Sequence, residues 1–176
     1  MISTVLVDHP WLTTAAFAAL VLVGPVVGAW LATRPRAAYA LAGLALLPAV
    51  VLTLVPTSRE VPFGCTVEWT WPTFAAVEVM ANVVLLVAPV LFLAVATRRP
   101  LPAVVAGSAV SLAVETAQGI TLVAGRSCST NDWVMNTLGA VLGAVLATVA
   151  LAVDRLWSGR RPVRVPDGED RRVPAP

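Results

Sequence analysis

Seven polar side chains lie in or beside long apolar stretches of this sequence: Glu78, Asn82, Glu115, Gln118, Arg126, Asp132 and Asn136. Their types suggest definite chemistry. Two carboxylates such as Glu115 and Asp132 offer a general acid and a general base. A guanidinium such as Arg126 meets a phosphate or carboxylate with paired hydrogen bonds. Amides such as Asn82, Gln118 and Asn136 satisfy hydroxyls or other amides. Glu78 and Asn82 are four residues apart, Glu115 and Gln118 three, and Asp132 and Asn136 four, so each pair shares one face of a helix. The metal-binding types are scarce. One histidine, His9, and two cysteines leave no His- or Cys-rich metal site, and no cofactor is expected.

The elements that must position these groups are membrane spans. The chain has 176 residues, of which 58% are hydrophobic and only 12% charged; a soluble domain carries about 25% charged residues. Its mean hydropathy is +0.83. Five apolar segments, near 11–33, 37–56, 74–97, 101–123 and 133–154, are long enough to cross about 30 Å of hydrocarbon as helices. Gly24-Pro25 and Pro89 fall inside spans and are read as kinks, because neighbouring helices in lipid re-satisfy freed backbone groups. The expected fold is therefore all-α, a polytopic transmembrane helix bundle over residues 1–154. The N-terminal segment lacks a basic n-region, so its first apolar run reads as a retained span and not a cleaved signal.

All twelve basic residues are arginines. Arg34, Arg36, Arg98 and Arg99 lie in two short inter-span turns, and six more follow the last span; with five spans these fall on one side, and only Arg59 and Arg126 on the other. The positive-inside rule then puts the N-terminus outside and the C-terminus in the cytoplasm. The tail 155–176, rich in Arg, Pro and acids, is expected to be disordered and to rest on anionic lipid or simply in solvent. Cys65 and Cys128 both fall in outer loops, a compartment that allows a disulfide between them; two free thiols are the alternative. Trp69 and Trp71 suit the membrane interface.

With this topology the seven polar residues gather in the outer half of the membrane or at its edge. Glu115 lies about 12 Å below the outer end of its span, with Arg126 as its expected cation. Asp132 opens the last span, where a carboxylate also serves as a helix cap. Asn82 and Asn136 are equally suited to holding helices together. Gly139 and Gly143 form a GxxxG stripe for close helix packing, within one chain or between two. The inner half is expected to lack a comparable polar set.

At these residues the sequence resembles the VanZ-like family of bacterial membrane proteins. The family's closing motif is matched by E-T-A-Q at 115–118, G-R at 125–126, D-W-V-M-N at 132–136 and G-A-V-L-G at 139–143. Its earlier motif, an asparagine followed by a proline, is matched by NVVLLVAP at 82–89, although Val90-Leu91 stand where a glycine is usual. The resemblance covers about 37–154, with the first span as an addition. It implies a multi-pass protein of the bacterial cell membrane with an effect on teicoplanin-type glycopeptide susceptibility, and no settled reaction. The expected partners are membrane lipids, a lipidated glycopeptide or a cell-wall lipid precursor, with no nucleic acid. The leading reading is an outward-facing site for a lipid head group. The alternative is an enzyme that modifies an envelope lipid through Glu115 and Asp132, with a Ser129–His9–Asp132 arrangement as its one conceivable nucleophile system. A transporter would need a polar path through both leaflets.

Overall fold

A computed structural model describes residues 8–54, 65–73, 75–120 and 128–159. Among them are five helices: α1 (Trp11–Leu31), α2 (Pro35–Leu54), α3 (Val77–Thr97), α4 (Pro100–Ile120) and α5 (Thr130–Gly159). Two short strands, β1 (Cys65–Thr66) and β2 (Cys128–Ser129), pair in parallel with Cys65 opposite Cys128. Four helical stretches, Trp11–Leu31, Val77–Thr97, Pro100–Gly119 and Thr130–Gly159, are long and apolar enough to cross a membrane; α2 carries a shorter apolar stretch, Pro35–Val51.

Local sequence explains the boundaries. Pro35 and Pro100 occupy first helical positions, where a missing N–H costs nothing and φ is already helical. Pro25, Pro48 and Pro89 sit inside helices that continue past them. α3 starts at Val77, later than the expected 74: 67–73 follow β1 as a strap without regular secondary structure, and Ala76 N–H closes a turn onto the Thr73 carbonyl at 3.0 Å. α3 ends at Arg98, which adopts the left-handed conformation (φ 55°) and so turns the chain into α4. α5 runs five residues past the expected end of its span, so 155–159 are helical and the expected disordered tail does not begin at 155. Between Gly143 and Gly159 the helix contains no Gly or Pro. Residues 160–176 lie outside the described set.

α3 is the centre of the bundle. Of the large apolar side chains that remain exposed, none lies on α3, whereas α1, α2, α4 and α5 all carry several. Leu86, Val87, Val90, Leu91, Ala94 and Val95 of α3 are buried in one cluster with Ala140, Ala147 and Ala150 of α5. The seam between α3 and α5 is close because glycines line it. A methyl added at Gly139 would overlap the Val83 carbonyl, and one at Gly143 would stand 2.5 Å from the Val87 carbonyl oxygen. The GxxxG stripe thus packs within one chain. Glycines on α1 and α4 also face α3, with Gly24 against Leu91 and Gly107 against Val90. α1 and α2 scarcely touch each other and pack separately on this centre, so the first hairpin is splayed.

The two ends of the bundle differ. At one end the turn after α1, the turn after α3 and the last turns of α5 meet. Arg98 donates to the Ala32 carbonyl at 2.9 Å and pairs with Asp154 at 3.3 Å. Arg34 stacks over the Trp30 ring at 4.0 Å. Of the ten arginines assigned to one side, Arg34, Arg36, Arg98, Arg99 and Arg155 are described. At the opposite end lie the strand pair and the strap. Asp154, at the arginine end, is 7% exposed and is held by Arg98. It was invisible as a site because its cation comes from a different helix turn 56 residues away.

Candidate functional site

At the strand end, three helices and the strap bring polar groups together. Cys65 and Cys128 form a disulfide. It sits on the end of α4, where a Cβ at Gly119 would be 3.0 Å from the Cys65 sulfur and 3.2 Å from the Cys128 Cβ. A side chain here would press on the bridge, so glycine suits its low position on the helix.

The strap is then tied to the first turn of α5. Glu68 N–H donates to the Thr130 hydroxyl at 3.1 Å, and that hydroxyl donates to the Glu68 carbonyl at 3.2 Å. Thr70 N–H donates to Asn131 Oδ1 at 2.9 Å. Thr130 and Asn131 therefore serve the backbone of another segment, which is what short polar side chains at a helix start do well. Trp69 and Trp71 meet edge to face, with ring centroids 5.8 Å apart, on the exposed side of the strap.

Beneath this cover lie the acids. Glu115 is 5% exposed, and its Oε2 accepts the Ser129 N–H at 3.0 Å. The disulfide at Cys128 and the carboxylate at Glu115 thus hold consecutive residues of β2. Asn82 Nδ2 donates to Asp132 Oδ1 at 2.6 Å, linking α3 to α5. Gln118, one turn along α4 from Glu115, is buried and engaged. A turn deeper, Asn136 Nδ2 donates to the Ser111 hydroxyl at 3.0 Å, while its Oδ1 is buried without a hydrogen-bond partner. Deeper still, the Ser108 and Thr137 hydroxyls pair at 3.0 Å. Polar contacts between helices therefore descend in layers from the strand end into the bundle.

Of the seven residues singled out in the sequence, Asn82, Glu115, Gln118 and Asp132 belong to this upper layer. Asn136 belongs to the layer below. Glu78 does not join: it is exposed in the first turn of α3 and makes no hydrogen bond or ion pair with the described residues. A spacing of four leaves about 40° between side chains, enough for Asn82 to face α5 while Glu78 faces outward at the open end of its helix. Arg126, and so its pairing with Glu115, lies outside the described residues. The Ser129–His9–Asp132 arrangement is not formed: His9 is exposed before α1 and its ring has no partner among the described residues, while the Ser129 hydroxyl accepts the Asn131 N–H at 3.2 Å.

Ser111 and Asn131 were missed. Both are serviceable polar residues beside a motif, but their partners depend on helix rotation, which spacing alone does not supply.

The sequence model of the VanZ/LLP1 family matches residues 16–151. The chain belongs to the VanZ/LLP1 family. The match takes in most of α1, so the first helix lies within the family region, in contrast to the expected limit near 37. No curated protein and no solved structure matched the chain. Family membership and four spanning-length apolar helices make this VanZ/LLP1 protein a membrane protein. All of the polar layers just described fall within the matched region.

Proposed function

We propose that this VanZ/LLP1 protein crosses the bacterial cell membrane five times, N-terminus outside, and binds the polar head group of an envelope lipid or a lipid-tailed ligand at the strand end. The observation that carries this reading is the convergence of Asn82, Glu115, Gln118 and Asp132 from three helices beneath a disulfide-bound strap. Ionisable groups in spans are expensive and default to function. α2, at 20 residues, measures about 30 Å, a length that supports a fifth crossing. The gathering of described arginines at the opposite end supports a cytoplasmic assignment for that end.

In this reading Arg126 receives the phosphate or carboxylate of the head group, and the Asp132–Asn82 pair meets its hydroxyl or amino groups. By depleting or masking a lipid at the outer surface, the protein alters susceptibility to a glycopeptide that carries its own acyl tail, such as teicoplanin, more than to an untailed one.

The test is binding of phosphatidylglycerol to the purified full chain in phosphatidylcholine nanodiscs. Asp132→Asn and Arg126→Ala are each expected to weaken it about tenfold, the worth of one charge-assisted hydrogen bond. Unchanged binding in both variants refutes the site. Teicoplanin susceptibility of a sensitive host expressing wild type or Glu115→Gln, at matched membrane levels, then tests the phenotype.

A further inference from the structure

Below the head-group layer, α2 and α4 flank a crevice whose back is α3 and whose floor is a residue of α5. Its walls are Leu46 and Val50 of α2, Leu86 of α3, and Val110 and Val114 of α4, with Asn136 at the bottom. The enclosed part is about 20 Å³, enough for one small polar group. Its rim is open: Val50 is 36% and Val110 39% exposed, whereas Leu86 is 3% and Asn136 6%. α2 and α4 meet only slightly, so the crevice opens sideways between them, toward the acyl chains of a surrounding bilayer.

The floor is chemically unfinished. The Asn136 amide is fixed by its donation to the Ser111 hydroxyl at 3.0 Å, which leaves Oδ1 as a buried acceptor with no hydrogen-bond partner among the described residues. Buried polar atoms nearly always have partners, and an exception calls for an explanation. Apart from Ser111, whose hydroxyl accepts from Asn136, the trough is apolar, and the remaining acceptor selects for a hydrogen-bond donor carried on an apolar body.

We infer that the crevice binds an acyl chain whose polar end donates a hydrogen bond, as an amide-linked or hydroxylated chain does and an ester-linked chain does not. The donor meets Asn136 Oδ1, and the alkyl part lies along the trough between Val50 and Val110. Asn136 is six residues into α5, about 9 Å below its start. That depth matches the linkage between a head group and its chain. The inference rests on the proposed lipid site for its setting, with the head group at Asp132 one turn above, but it uses different atoms.

The experiment uses the full chain in phosphatidylcholine nanodiscs and three diazirine-tagged probes without a charged head group: N-methyl dodecanamide, methyl 3-hydroxydodecanoate and methyl dodecanoate. Labelling is titrated and the labelled peptides are mapped. The amide and the hydroxy ester are expected to bind about tenfold more tightly than the plain ester, with labels on α2 and α4. Asn136→Leu should bring all three to the level of the plain ester. Val50→Trp, at the partly exposed rim, should weaken all three. Equal binding of the three probes to wild type overturns the inference, and means that a water satisfies the amide. A preference that survives Asn136→Leu, or labels confined to other helices, also overturns it. Asp132→Asn should leave the amide-to-ester ratio unchanged, so a failure of the head-group reading registers only in the phosphatidylglycerol assay.

Discussion

Replacing Gly139 with alanine tests the arrangement that holds the candidate site together. The added methyl would overlap the Val83 carbonyl, and at Gly143 the same change places a Cβ 2.5 Å from the Val87 oxygen and 3.1 Å from the Leu91 nitrogen. Cβ contacts with backbone do not fall below about 3 Å, so the seam must part by roughly half an ångström at Gly143 and by more at Gly139. Overpacking of this kind costs about 1–3 kcal/mol. The better helix propensity of alanine returns about 1 kcal/mol. Gly43 supplies the control, since a Cβ there meets nothing within 4 Å and only the propensity gain remains.

Detergent-solubilised variants would be heated and the surviving monodisperse fraction read by fluorescence size exclusion. The expected order of midpoints is Gly43→Ala at or above wild type, then Gly143→Ala, then Gly139→Ala. Gly139→Ala should also weaken phosphatidylglycerol binding, because Val83 adjoins Asn82 and a parted seam lengthens the 2.6 Å bond to Asp132. A Gly139→Ala protein as stable as Gly43→Ala would refute the close approach of α3 and α5.

Three further outcomes are expected. Arg98→Ala removes the bonds to the Ala32 carbonyl and Asp154; because the Arg98 side chain is 52% exposed, the loss should be about 1 kcal/mol rather than the larger cost of a buried pair, read as a lowered thermal midpoint. Reduction of the disulfide, or the double change Cys65→Ser with Cys128→Ser, releases a constraint spanning 63 residues, with a chain-entropy ceiling of about 4 kcal/mol; limited proteolysis should show the strap cut first. Glu78→Gln should bind phosphatidylglycerol like wild type while Asp132→Asn does not, and a reversal would move the site onto the outer face of α3.

Helices and their order were legible because their signals are local. Run lengths of apolar residues, Pro35 and Pro100 at helix starts, and arginines in the two turns are all read without knowing what packs where. Half of the site was legible for the same reason: Glu115 and Asp132 stand out as carboxylates in apolar surroundings. The partners were not. Asn82 and Glu78 carry the same spacing signal, yet only Asn82 faces α5. Ser111 looks like any small residue in a span until Asn136 arrives from another helix. Asp154 closes a span and reads as its polar end, whereas a turn of α3 reaches it with Arg98. The two-residue strands have too little periodicity to register at all.

The central place of α3 has a consequence for how the chain is built. α3 has the highest hydropathy of the spanning helices, 2.6, and α4, which carries Ser111, Glu115 and Gln118, has the lowest, 1.3. When a growing chain releases α3, α1 and α2 are already made, and of these only α1 sets glycines, Gly24 and Gly28, against it. Its Val- and Leu-rich surface is content in lipid while it waits. α4 is not so placed, and enters beside a finished neighbour whose Val90 already fits Gly107. The last helix then covers the Val83 and Val87 carbonyls and delivers Asp132 to Asn82 and Ser129 to Glu115. The polar cluster therefore does not exist in a nascent chain that lacks α5: it appears only when that helix arrives.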